Sequence, residues 1–405
     1  MRSTPREMSP VLVSSLRTAI SPRRPSTSSP EIRNLGIGAI QDDKGFQVGR
    51  SDLVECSVCG YFQEMTKQIQ NADEGQIEPA WLKRLAPYRK PSRLRSVFEL
   101  GVTTLPLVLL WFLSWFALTQ GFWWGLVLTV PAAGFLVRLF MIQHDCGHGA
   151  FFGQRRIDDW VGRLLGVLTL TPYECWRRTH AIHHASSGNL DARGIGDVMT
   201  LTVAEYHALS VWGRRRYWLY RHPAVMFGIG PIWLFVIQQR LPFGMMRDGI
   251  RPWASAMATN VAIAIFAVAL IWLVGWLPFL LIQLPIVLIA GTAGVWLFYV
   301  QHQFEDTRWT SQKDWDYEKA ALHGSSYYDL PAVLRWFTAN IGIHHVHHIS
   351  SRVPYYRLPE VLRDYPELRQ VGRVSLLDSL RGVKLVLWDE TKQRLVSFRE
   401  ARAIA

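Results

Sequence analysis

The sequence predicts an all-α integral membrane protein. Four transmembrane helices form two hairpins, and a cytosolic helical cap carries a histidine-rich di-metal site. Three observations predict this. The stretches from Leu100 to Val137 and from Trp253 to Val300 contain no Asp, Glu, Lys or Arg. Each stretch has a turn signal near its middle. Nine histidines, most of them at helical spacing, follow those stretches, with His144, His148 and His302 at their ends.

Composition supports the class. The chain is 49% hydrophobic and only 19% charged, and the apolar residues are bunched rather than periodic. The net charge of +12 is explained by Lys and Arg retained in cytoplasmic loops, with attraction to anionic headgroups as a second contribution. Nucleic-acid binding is excluded as a reading, because no basic helix or nucleic-acid motif accompanies the charge.

In chain order, residues 1–80 are polar and open with a Ser/Pro/Arg-rich run, Ser21-Pro22-Arg23-Arg24-Pro25-Ser26. Such a segment cannot bury a core and reads as disordered. It resembles an organellar transit peptide, being rich in Arg and Ser with few acids. The other reading is a translation start further along, for example at Met65. Cys56 and Cys59 form a lone CxxC, weak as a zinc or redox signal. Cys146 and Cys175 read as reduced thiols facing the cytoplasm.

The first hairpin spans about 100–141 and turns at Thr119-Gln120-Gly121. A crossing needs about 20 apolar residues at about 1.5 Å each, so the stretch holds two. The run from Trp160 to Leu170 is too short to span. Val225 to Ile237 is also short, about 20 Å as helix against about 30 Å of hydrocarbon. It reads as interfacial or re-entrant. The second hairpin spans about 253–300 and turns at Gly275-Trp276-Leu277-Pro278. With two hairpins only, every histidine cluster lies on one side. The turns lack Lys and Arg, which puts the histidine face and both termini in the cytoplasm. The cap comes from 142–252 and 301–375, and 376–405 reads as a C-terminal cytosolic tail. Trp-rich positions such as Trp123-Trp124 and Trp111/Trp115 read as membrane anchors before tunnel walls.

The chemistry is carried by imidazoles. His144 and His148 are i and i+4. His180, His183 and His184 combine i, i+3 and i+4, as do His344, His347 and His348, and His302 follows the last apolar run. Residues so spaced share a helical face. Imidazole suits iron, copper and zinc, and nine of them exceed the needs of one ion. Two ions of four to five nitrogens each are expected. Glu305, Asp306, Asn340 and Asp197 are candidates to accept the outer N–H of ligating rings, and stand equally as solvated loop polars. His345 is out of register; it either supports a ligand from behind or has no part in the site. His207, His222 and His323 stand alone and read as solvent-facing or core histidines. A zinc peptidase of the HExxH type is a weak alternative, since Asp145 stands where Glu is needed.

The boxes HxxxH, HxxHH and HxxHH, in that order, resemble the membrane fatty-acid desaturase superfamily. Flanking runs extend the likeness to the omega-6 (delta-12) acyl-lipid branch and its bacterial relatives. Examples are Gly149-Ala150-Phe151-Phe152, Phe298-Tyr299-Val300-Gln301-His302-Gln303-Phe304-Glu305 and Ile341-Gly342-Ile343-His344. The resemblance covers roughly 85–375. It implies a non-haem di-iron centre held by His144, His148, His180, His183, His184, His302, His344, His347 and His348, with O2 as co-substrate. It further implies a fatty-acyl lipid substrate in a tunnel beneath the site, and desaturation to a cis double bond. His222-Pro223-Ala224 is not the His-Pro-Gly-Gly of a fused cytochrome b5, so a separate electron donor is expected: ferredoxin-like, rubredoxin-like, or cytochrome b5. A bacterial inner membrane is the expected location. The rivals are a hydroxylase, ketolase or alkane monooxygenase of the same superfamily, and a non-catalytic membrane metal-binding protein.

Overall fold

The computed structural model describes residues 80–194 and 196–404. The polar N-terminal run, the Met65 start and the Cys56/Cys59 pair lie outside the described residues.

The first crossing, α1, is Arg93–Thr119. Its 27 residues extend about 40 Å, enough to cross the hydrocarbon core. In lipid each backbone N–H and C=O must bond within the segment, which leaves helix as the solution for an isolated apolar run. Ser92 starts it, its hydroxyl accepting from the Arg95 N–H at 3.4 Å. Gly121 turns the chain at φ +76°, a conformation glycine adopts without Cβ strain. Trp123 and Trp124, exposed at this turn, suit the headgroup layer. A 3-10 turn, Trp123–Leu128, leads into α2, Thr129–His148. α2 does not stop at the end of the apolar run but continues through the first histidine box.

Two shorter helices follow. α3, Arg155–Leu168, is amphipathic, with Trp160 and Leu164 outward and Leu165 buried. α4, Tyr173–Ser186, carries the second box. Tyr173 packs where Gly162 of α3 leaves room for its ring.

Residues 225–240 form a broken helix of wide π turns, Val225–Ile229 and Trp233–Ile237, around Gly230–Ile232, closed by the 3-10 turn Gln238–Arg240. It does not cross. Arg240 caps it from below, donating to the Leu170 carbonyl and, at 2.8 Å, to the Asn260 side chain. Such wide turns concentrate at functional sites.

The second hairpin is α5, Ile250–Val274, and α6, Trp276–His302. Gly275 at φ +88° makes the turn. His302, expected just past the last crossing, is its final residue. α2 lies at the centre, packed on α1, α3 and α6. Leu139 and Ile142 are fully buried there.

The cap is built of short pieces. β1 (Leu201–Thr202), β4 (Leu387–Asp389) and β5 (Arg394–Val396) form a three-stranded sheet in the order β1-β4-β5. β2 (Tyr327–Asp329) pairs in parallel with β3 (Arg373–Ser375). The third box lies on α7, His344–Ile349. The segment expected to be a tail after 376 is not one. It returns to the cap as β4, β5 and flanking helices, burying Leu387, Trp388 and Val396 completely. Asp389 makes the intervening turn, accepting from the Thr391 and Lys392 N–H groups at 3.0 Å.

A buried ion pair ties the hairpin to the cap. Arg138 of α2 meets Glu99 of α1 and donates to the Trp336 carbonyl, and the Tyr355 hydroxyl donates to Glu99 at 3.0 Å. Both charged side chains are only 2% exposed. Such a pair is tolerated where every charge has partners.

Candidate metal centre

The three boxes and His302 converge. Their nitrogens sort into two groups. His144, His148, His180, His184 and His347 form one; His183, His302, His344 and His348 form the other. Within each group the ligand atoms lie within 4.8 Å of one another.

Helix geometry explains the sorting. Residues i and i+4 point about 40° apart, whereas i+3 points about 60° to the other side of i. On α4, His180 and His184 therefore share a group while His183 enters the second. On α7, His344 and His348 share the second group while His347 enters the first. Each HxxHH box thus divides between the groups rather than supplying one volume from a single face. The His184 and His348 rings stack at 4.1 Å across the divide.

The packing of nitrogens is close. In the first group, Nε2 atoms of His148 and His180 are 3.1 Å apart, His180 and His184 3.1 Å, and His184 and His347 3.0 Å. In the second, His183–His302, His302–His344 and His344–His348 are each 3.1 Å. Outer bonds set the tautomers. His183 Nδ1–H donates to the Asp197 carboxylate at 2.5 Å, and His302 Nδ1–H donates to the Gly324 carbonyl at 3.1 Å. Their facing Nε2 atoms are then both acceptors, 3.1 Å apart with no proton between them. A cation is what such lone pairs accommodate. Two nitrogens about 2.1 Å from one ion and at right angles would be ~3.0 Å apart, close to the spacing present. The residues fit a pair of metal ions.

Burial completes the preparation. His183, His302, His344 and His348 are buried, whereas His148, His180 and His184 are partly exposed. Burial, reinforced by neighbouring imidazoles, pushes His180, His184, His344, His347 and His348 well below the ordinary histidine range. They are free bases at neutral pH, the form that binds metal.

Among the outer candidates, the structure brings Asp197 to the site and leaves the others away from it. Glu305 and Asp306 are exposed in the turn after α6, and among the described residues no bond joins them to a site imidazole. The chain turns after His302, so their side chains leave along a different direction. Asn340 sits at φ +56° and donates to the Tyr355 carbonyl at 3.3 Å; it shapes the loop before α7. The partner that sequence reasoning missed is Asp145. It accepts from His144 Nδ1–H at 3.1 Å and from the Tyr355 N–H at 2.7 Å. Its adjacency to His144 was the available signal. His345 is buried away from both groups, its ring against Tyr327. His207 bonds the Ala401 carbonyl at 3.1 Å.

A cavity of about 800 Å³ abuts the histidines. It is walled by α2, α6 and the broken helix, and its lining includes His144, His180 and His344, so both groups face it. Trp176 forms part of the wall, stacked on His180 at 4.6 Å. Gly147 makes this stacking possible, since a Cβ there would lie 2.8 Å from the indole. Apolar, concave and floored by a few polar groups, the cavity has the character of a small-molecule site.

Fold and site together define a class: an integral membrane protein with a histidine-rich site able to hold two metal ions beside an apolar chamber. Comparison with known proteins makes the class specific. The model of the fatty acid desaturase family matches residues 121–374. The chain is 45% identical over 322 residues to a fatty acid desaturase of Bacillus subtilis (strain 168), covering 80% of this chain and 91% of that protein. It is 30% identical over 234 residues to the sn-1 acyl-lipid omega-3 desaturase (ferredoxin) of Synechocystis, covering 54% and 61%. It is 26% identical over 285 residues to the chloroplastic omega-6 fatty acid desaturase of Spinacia oleracea, covering 65% and 60%. The chain belongs to the fatty acid desaturase family. It is an oxidoreductase that introduces a double bond into a fatty-acyl chain.

Proposed function

We propose that the two metals are iron, held by His144, His148, His180, His184 and His347 on one side and by His183, His302, His344 and His348 on the other. Dioxygen is the co-substrate, and the acyl chain lies in the cavity with the methylenes to be oxidised beneath the histidines. The single observation that carries this reading is that both imidazole groups open onto one apolar chamber. When bound, such a pair of redox ions supplies the power to remove hydrogen from unactivated methylenes.

The chain's own residues do the rest. The apolar wall excludes water and holds the chain, and placement to within an angstrom decides which carbons react. Asp197, Asp145 and the Gly324 carbonyl keep His183, His144 and His302 in the tautomer whose Nε2 faces inward. Trp176 fixes the His180 ring by stacking. The substrate is an acyl lipid and the electrons come from a separate ferredoxin-like carrier, as the Synechocystis relative's name states for that protein. Rubredoxin-like proteins and cytochrome b5 are the other donors to test. The histidine face lies on the cytoplasmic side, following the excess of Lys and Arg there, and the inner membrane of a bacterium is the location.

The experiment is expression in a host without polyunsaturated lipids, with mass-spectrometric location of new double bonds and iron quantification on the purified protein. New alkenes and about two irons per chain support the reading. Hydroxylated product instead would move it to the hydroxylase branch, and iron-free active protein would overturn the metal assignment.

A further inference from the structure

The face of α6 that lines the cavity changes size along its length. Val287, Ala290, Gly291, Gly294, Phe298 and Gln301 all border the chamber. Positions 287, 294 and 301 point within about 20° of one another per step of seven, so Gly294 is at the middle of the lining face. The two glycines there do different things. A Cβ at Gly291 would lie 3.2 Å from Phe235 and 3.3 Å from Pro231; its smallness lets the broken helix pack on α6. A Cβ at Gly294 would meet nothing within 4 Å. No packing partner uses that space. It belongs to the chamber.

We infer that Gly294 sets the clearance through which the acyl chain passes, and so fixes how long a chain this enzyme accepts; the inference rests on the cavity being the acyl site. Gly294 precedes His302 by eight residues, about 12 Å along the helix. The cavity wall continues to Val287, about 21 Å from Gln301 by the same measure. An extended chain advances roughly 1.2 Å per bond, from the ~3.6 Å covered by three bonds of an extended residue. About ten carbon–carbon bonds therefore separate the oxidised carbon from the level of Gly294, and the chamber beyond accommodates the remainder. A branched side chain at 294 starts in that open space, its Cβ meeting nothing within 4 Å, and would narrow the chamber about two helical turns from His302.

The test compares wild type, Gly294→Ala, Gly294→Leu and Gly101→Leu. Gly101, on α1, is a control because a Cβ there also meets nothing within 4 Å and it does not border the cavity. Each variant is given acyl substrates of 14, 16 and 18 carbons, with product profiles by mass spectrometry. Binding of 14- and 18-carbon fatty acids to the purified protein is measured by competition with a fluorescent fatty acid. The expected result for Gly294→Leu is at least a tenfold fall in the ratio of 18- to 14-carbon product, matched by a fall in 18-carbon binding. Gly294→Ala should lie between this and wild type, and Gly101→Leu should keep the wild-type profile. An unchanged profile in Gly294→Leu overturns the inference, as does uniform loss across lengths with Gly294→Ala indistinguishable from wild type. A wild type that makes no alkene with any substrate would instead overturn the function proposed above.

Discussion

Asp197 offers the sharpest test of how the metals are held. Its carboxylate accepts from His183 Nδ1–H at 2.5 Å, with the two side chains only 5% and 1% exposed. Asp197→Asn keeps an acceptor but removes the charge, and Asp197→Ala removes both. Loss of an outer partner of this kind costs about 10–100-fold in metal affinity, or about 1.4–2.7 kcal/mol. The loss should fall on one group only. His183 belongs to the four-imidazole set, and the five-imidazole set has its own support from Asp145. In a chelator titration followed by elemental analysis, Asp197→Ala should therefore drop from two metals towards one per chain at a chelator concentration about 10–100-fold lower than wild type. Asp197→Asn should lie between, and the second metal should leave at the wild-type concentration. Glu305→Gln and Asp306→Asn should match wild type throughout. Wild-type behaviour in Asp197→Ala, or simultaneous loss of both metals, would refute the division into two separately supported groups.

Three further outcomes follow from the same geometry. His148→Ala should insert normally yet lower desaturation by more than the ~10–100-fold expected of an outer partner; retained product would refute its place as a ligand. Arg138→Leu should destabilise the protein by up to about 3–5 kcal/mol, since Glu99 keeps only the largely exposed Arg95 and the Tyr355 hydroxyl as partners, whereas the double replacement Glu99→Leu/Arg138→Met should cost much less. Thermal unfolding in detergent reads this, and an equal loss in both variants would sink it. The third outcome concerns acid. Burial lowers His345 from 6.5 to about 4 and His347 and His348 well below the ordinary value. The unfolded chain then takes up protons first, so metal-free protein should be fully stable above about pH 6.5 and lose stability as pH falls towards 4. A flat stability profile across that window contradicts the burial of these rings.

Much of this architecture could be read from the chain because charge-free runs and box spacing are strong local signals. The four crossings need only length and apolarity, and their turns are marked by Gly121 and Gly275. The i, i+4 pairing of His144 with His148 and of His180 with His184 is likewise written in the spacing. What spacing alone does not convey is direction. That His183 and His347 leave their own boxes follows from helix rotation only once both helices are placed. Asp197 was separable from Glu305 and Asp306 only by tertiary structure, since all are acidic residues near a histidine in sequence. The Glu99–Arg138 pair sits just outside the charge-free run and spans two helices. The C-terminal segment carries short strands whose partner, β1, lies nearly two hundred residues earlier, so nothing local announces it.

Because α4 and α7 each feed both groups, a change in the register of either helix disturbs both seats at once. Inserting one residue within either HxxHH would turn the following side chains by about 100° and scramble both seats together. The reading frame of those two helices is therefore a shared constraint. A wall residue such as Gly294 can change alone, whereas the register of these helices can change only with both seats.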